Sequence, residues 1–304
     1  MTVLGFLGLH VTSTLVALFF LNVLLAYSAY PVFALGRMNL AFMAFAGVGA
    51  YTAAILHLKH GVPPALAIAA GVALSALAAL PVGAVLGRVR GIYVAIASVN
   101  LVVAFQITVG GLPDLTGGAL GLLGLPIVAT QTVMGVSVAA VVAFFWLFSR
   151  SRPGRAIRVQ RSDPLLALAT GVNTVFNASA LFVLSAAVGG LAGSLQVFWY
   201  GFVSPEFYGF QGLLLVLAMV VVGGTGSWLG PLVGAAFFTI VPEWLRFAGG
   251  LSDVLVGGIL LAVVLFAPEG IAGTIDSRLR LWRARSSVES RARRVSTKPP
   301  LPSA

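Results

Sequence analysis

Five uncharged polar side chains stand out against long apolar runs: Asn39, Ser98, Asn100, Gln106 and Thr108. Asn100, Gln106 and Thr108 share one run, and Ser98 precedes Asn100 by less than a turn. An amide or hydroxyl in hydrocarbon needs a partner, because no water is present to supply one. Such groups have two uses. They bond one helix to the next, or they form a weakly polar lining past which a zwitterion slides. Weak is sufficient for the second use if another protein supplies affinity, since a pathway must also release its cargo. The spacing fits both uses. Asn22 is a residue of the same kind, and Tyr93 reads as an anchor at the membrane–water boundary.

Other chemistry is missing from the sequence. No G-x-x-x-x-G-K-[ST] phosphate loop occurs, and neither lysine, Lys59 or Lys298, follows a glycine loop. If ATP drives this protein, another chain binds and splits it, and no cofactor is expected here. His57 and His60 lie one helical turn apart, but two ligands make a weak metal site. They and His10 are read as interfacial residues, and no metal is expected. There is no cysteine, hence no thiol chemistry and no disulfide framework. Nothing points to an enzyme.

Carboxylates are equally sparse. Asp114, Asp163, Glu206, Glu243 and Glu269 fall in loops or at the ends of apolar runs, and Asp253 begins the last run. Proton- or sodium-coupled carriers generally use intramembrane carboxylates or unwound ion-binding segments. An externally powered protein is therefore preferred to an autonomous channel or secondary carrier.

The frame that must position these residues is legible from composition. Of 304 residues, 59% are hydrophobic and 9% charged, with a mean hydropathy of +1.05. A soluble domain is about 25% charged, so this chain cannot cover a water-facing surface. Apolar runs recur near Val3–Tyr27, Leu40–Leu58, Pro64–Leu86, Gly91–Gly110, Ala129–Phe148, Val175–Phe198, Gly209–Val222, Leu229–Leu245 and Asp253–Ala267. They are continuously apolar rather than alternating, which selects helices over a barrel. The expected fold is an all-α integral membrane protein, a polytopic bundle of about eight to ten spans. A half-membrane segment around Pro31–Asn39 could add a crossing.

Charge sets the orientation. With the N-terminus outside and nine crossings, sixteen of the eighteen Lys and Arg fall inside, leaving Lys59 and Arg246 outside. The net charge of +10 thus reports topology and not nucleic-acid binding. No basic side chain precedes Arg37, so no cleaved signal peptide is expected. Residues 1–276 read as the membrane domain. Residues 277–304 read as a basic cytoplasmic tail that lies on anionic lipid and ends in disorder. Small residues at helical spacing in Ala44–Ala54, Ala186–Ser194 and Gly230–Ala236 read as sites of close helix packing.

Five arginines lie between Arg150 and Arg161, on the inner side by this count. Orientation alone could account for them. What surrounds them asks for more. "PGRAIRVQR" can form a short helix with Arg155 and Arg158 one turn apart. Asp163-Pro164 reads as N-cap plus first helical residue of "LLALAT", with Gly171 and Asn173 as its stop. A basic, helical loop with an apolar face reads as a docking element for another protein.

"SRPGRAIRVQRSDPLLALATGVNTVFNASALFVLSAAVGGLAGSL" (Ser151–Leu195) resembles the cytoplasmic loop and next helix of permease subunits of branched-chain amino acid ABC importers, the LivM/LivH type. "MNLAFMAFAGVGAYTAAIL" (Met38–Leu56), "RVRGIYVAIAS" (Arg88–Ser98), "LTGGALGLLGLP" (Leu115–Pro126) and "GFVSPEFYGFQGLLLVLAMVVVGGTGSWLGPLVGAA" (Gly201–Ala236) resemble further parts of that family, in the same order. Pro164 and Leu168 stand where the family usually carries acids, and Phe42-Met43 where it carries Gly-His. The resemblance implies an ABC importer permease fold in a bacterial inner membrane, with the C-terminus cytoplasmic. It implies hydrophobic amino acids as cargo, with urea, short amides or another amino acid as alternatives. It implies as partners ABC ATPase subunits, a second permease subunit, homologous or identical, and an extracytoplasmic solute-binding protein. The segment 149–171 would contact the ATPase through Arg155, Arg158, Arg161, Asp163, Leu165, Leu166 and Gly171. Asp114, Thr116 and Glu206 would face the binding protein.

Overall fold

Without water, an apolar run satisfies its backbone by closing every hydrogen bond within itself, as a helix does. The computed structural model shows this outcome, and it describes residues 13–89 and 91–245 with the isolated positions 257, 258, 270, 271 and 273. The first helices are α1 (Ser13–Phe33), α2 (Phe42–His60), α3 (Pro64–Leu86) and α4 (Ile92–Gly110). A short α5 (Pro113–Thr116) and strand β1 (Leu122–Leu123) lead to α6 (Gln131–Arg150). Two small helices follow, α7 (Arg152–Ser162) and α8 (Pro164–Ala169), then the 27-residue α9 (Thr174–Tyr200). Strand β2 (Phe202–Val203) precedes the shorter pair α10 (Phe210–Gly223) and α11 (Gly230–Leu245). Six of these helices, α1 to α4, α6 and α9, are long and apolar enough to cross a membrane.

The observed helices follow the apolar runs, with one correction. The first span was expected over Val3–Tyr27, with a possible half-membrane segment at Pro31–Asn39. Instead α1 continues to Phe33 with Pro31 inside its last turns. Membrane helices tolerate such a proline because neighbours re-satisfy the freed carbonyl. No separate half-span forms among the described residues. The expected span Asp253–Ala267, the tail 277–304, His10, Arg90 and Arg246 lie outside the described residues.

α9 runs through the centre, packed on α1, α2 and α3. The contacts are made by small residues. A Cβ on Gly49 would stand 2.5 Å from the Gly190 Cα, one on Gly71 would meet Gly49 O and Ser194 Oγ, and one on Gly193 would collide with Ala46 O. Serines then bond across the close approaches: Ser75 Oγ donates to Phe45 O at 2.9 Å, Ser194 Oγ to Gly49 O at 3.1 Å and Ser179 Oγ to Gly83 O at 3.0 Å. Where lipid offers no hydrophobic force between helices, close backbone approach supplies dispersion and hydrogen bonding together.

α10 and α11 form a hairpin on the flank of α1. Asn22 Nδ2 donates to Thr239 Oγ1 at 3.0 Å, and Tyr27 Oη to Trp228 O at 2.7 Å. α4 is loosely packed and leaves Ile92, Tyr93, Ile96 and Ile107 exposed. The two ends of the bundle differ in charge. Arg37 donates to Gly87 O at one end, where α7, α8 and the α10–α11 turn also lie. Lys59 donates to Asp114 O at the other, where β1 and β2 pair antiparallel, Leu122 opposite Val203.

Candidate functional site

The arginine segment folds as an elbow of two capped helices. Ser151 opens α7 by accepting from Gly154 N at 3.3 Å. Asp163 Oδ1 opens α8 by accepting from Leu165 N at 2.9 Å and Leu166 N at 3.1 Å. Gly171 closes it at φ +80°, a conformation that only glycine adopts without strain. Inward, the elbow packs Ile157 against Leu35, Ala178 and Leu181. Outward, it presents Leu165, Leu166 and Leu168, 77%, 52% and 49% exposed. Arg155 and Arg158 of the preceding helix α7 are exposed as well.

The arginines do not act alike. Arg155 Nη1 donates to Arg150 O at 2.8 Å and Arg158 Nη1 to Ser149 O at 2.7 Å, so both brace the corner after α6. Arg150 covers the Trp146 ring at 4.2 Å. Arg161 turns away from the leucines and donates twice to Thr225 in the α10–α11 turn. Behind it is a cavity of about 580 Å³ with Tyr30, Phe145, Phe148, Arg158, Arg161 and Trp228 in its wall.

The polar residues of the spans divide. Asn39 is buried, and its Oδ1 accepts from Ala41 N at 3.0 Å at the start of α2. Ser98 is buried too, accepting from Leu40 N at 2.9 Å and donating to Ala95 O at 2.9 Å. Ser98 thus ties the α1–α2 link to α4, and Asn39 bonds within that link. Gln106 is half-buried, its amide against Gly209, where a Cβ would stand 2.6 Å away. Asn100 and Thr108 face outward on α4, and Asn100 donates only to Ile96 O of its own helix.

At the opposite end, Asp114 and Glu206 are exposed, as a contact for an external partner requires. Thr116 is 4% exposed and donates to Val109 O and Leu112 O, so it closes the α4–α5 corner. His57 faces Val62 O through Nδ1 at 2.8 Å and sets its ring edge-on to Phe198. Sequence reading missed a group beside it. Tyr208, in the turn Pro205–Tyr208, is fully buried and donates to Gln196 Oε1 at 3.1 Å. Burial pushes its phenol well above the ordinary range. Tyr51 lies in α2 with its ring against Phe105, and its buried hydroxyl has no hydrogen-bond partner among the described residues. Thr225 and Gln160 were also missed, since nothing local marks a partner 64 residues away.

Comparison with known proteins agrees with this arrangement. The profile of the family described as "Branched-chain amino acid transport system / permease component" matches residues 11–264. The permease protein LivM of the high-affinity branched-chain amino acid transport system of Salmonella typhimurium is 26% identical, over 84% of this chain and 68% of its own. LivH of the corresponding Escherichia coli system is 33% identical over 45% of each chain. The autoinducer 2 import system permease protein LsrC of Yersinia pestis is 27% identical over 69% of this chain and 63% of its own. No solved structure matches.

Proposed function

The chain belongs to the permease-component family of branched-chain amino acid transport systems, and from that premise we propose that it is the membrane-spanning subunit of an ATP-driven importer of hydrophobic amino acids. It holds no nucleotide of its own. Two cytoplasmic ATPase subunits grip the elbow 149–171, a second permease subunit, homologous or identical, completes the pathway, and an external binding protein delivers cargo near Asp114 and Glu206. ATP binding closes the ATPase pair and the elbows move with it. In this reading the C-terminus and its basic tail 277–304 lie in the cytoplasm.

The observation that carries the proposal is the elbow surface. Three exposed leucines on a six-residue helix have no reason to face water unless a protein covers them. The helix is capped before any partner arrives, so docking costs little ordering entropy. Leu166→Asp is the direct test. The leucine side chain takes part in neither cap nor brace, so the variant is expected to abolish co-purification of the ATPase subunits while the chain stays folded. Undiminished co-purification with unchanged uptake would remove the elbow from the docking surface.

The same reading assigns the pathway to the outward face of α4. An asparagine at mid-span cannot rest in lipid without cost, so Asn100, with Thr108 two turns on, faces the second permease subunit and the space between them. The likeness to LsrC, named for an autoinducer 2 import system, supports one further possibility for cargo, a solute other than an amino acid. Binding assays on the delivering protein separate the two.

A further inference from the structure

The elbow meets the rest of the bundle at two polar points. Gln160, 5% exposed, donates Nε2 to Thr174 O at 3.2 Å and accepts from Asn177 Nδ2 at 3.3 Å. This pair fixes α7 to the first turn of α9. Arg161 reaches the other way. Its Nη1 donates to Thr225 O at 2.7 Å and its Nη2 to Thr225 Oγ1 at 3.0 Å, a two-pronged contact with one residue of the α10–α11 turn.

Between elbow and hairpin is the cavity of about 580 Å³. A void transmits no push, because its walls have no atoms in contact. Across that gap the Arg161 guanidinium forms a bridge. Its stem passes Gly36, where a Cβ would stand 3.4 Å from Cγ. The turn it grips is stiff. Gly224 has φ +105°, and added Cβ atoms on Gly223 and Gly230 would collide with the Gly230 and Gly224 carbonyls. A turn so tightly closed cannot absorb a displacement of Thr225 by bending. It passes the displacement to α10 and α11 together.

We propose that Arg161 is a strut that carries movement of the elbow to the α10–α11 hairpin, so that elbow and hairpin turn travel as one body during transport. This rests on the reading that an ATPase grips the elbow. Arg161 is then a positioning residue and lies outside the docking surface, because both of its terminal nitrogens are engaged with Thr225.

The chain lacks cysteine, which makes a direct test practical. The full complex is purified with Arg161→Ala, with Arg161→Lys, and with Arg161→Cys plus Thr225→Cys. The cysteine pair is joined by a reducible bis-thiosulfonate linker about as long as the arginine side chain, since a direct disulfide needs Cα atoms within about 7 Å. In the alanine variant, ATPase subunits are expected to stay bound and to hydrolyse ATP, while uptake into vesicles falls at least about tenfold. Lysine keeps the charge without the fork, and its uptake is expected to lie between alanine and wild type. The linked pair is expected to transport. Uptake within about twofold of wild type in the alanine variant overturns the strut. So does uptake that the linker stops and reduction restores, and so does loss of the ATPase from the alanine variant alone. Failure of the unmodified chain to hold any ATPase overturns the proposed function instead.

Discussion

The contact of α9 with α2 and α3 and the contact of α4 with its neighbours are both made by apolar helices, yet they are built in opposite ways. The first is a run of glycine, alanine and serine in which backbones touch and no Cβ can be added at Gly49, Gly71 or Gly193 without collision. The second leaves an apolar groove between Pro81, Val85, Ala97 and Leu101 open to its surroundings. A close-packed interface has few neighbouring states of similar energy, whereas a sparsely packed helix has many. α1, α2, α3 and α9 therefore form the scaffold, and α4 is the part with freedom to move.

The comparison can be broken first at its rigid side. Gly49→Leu drives a side chain into the Gly190 backbone, and the expected loss is about 3 kcal/mol or more, seen as absence of a monodisperse peak after detergent extraction. A stable, folded variant would show that this interface yields. The mobile side is tested by Asn100→Leu. It is expected to leave the melting temperature within a degree or two, roughly, because the side chain touches only its own helix, and to lower uptake about tenfold. A variant that melts much lower would place Asn100 in the scaffold. The smallest effect is expected at Tyr51→Phe, between the two regions. It removes a buried hydroxyl that has no partner, so stability should rise by up to about 1 kcal/mol. A drop in uptake at equal or higher stability would show that the hydroxyl meets cargo or a water on the pathway.

Much of this could be read from the sequence because membrane helices obey local rules. Apolar length set α2 to α4, α6 and α9, and the charge rule separated Lys59 from the arginine-bearing loops that the structure gathers at the other end. The elbow was equally legible: Asp163-Pro164 and Gly171 are capping signals that act within four residues of themselves. What was hidden depends on distant neighbours. Ser98 is one case, since a sequence does not show that Leu40 N and Ser98 Oγ meet across 58 residues. Pro31 looked like a break because its cost is local while its compensation is tertiary. Arg161 looked like its neighbours Arg155 and Arg158, and only the placement of Thr225 separates a strut from a brace.

The brevity of α10 has a further effect outside the protein. Its 14 residues rise about 21 Å, well short of a hydrocarbon layer about 30 Å thick. The turn before it is sunk into the bundle, with Tyr208 wholly enclosed. Where lipid meets so short a helix, the mismatch is met by local thinning of the bilayer or by snorkelling of flanking side chains, so bilayer thickness becomes a property to which the hairpin responds.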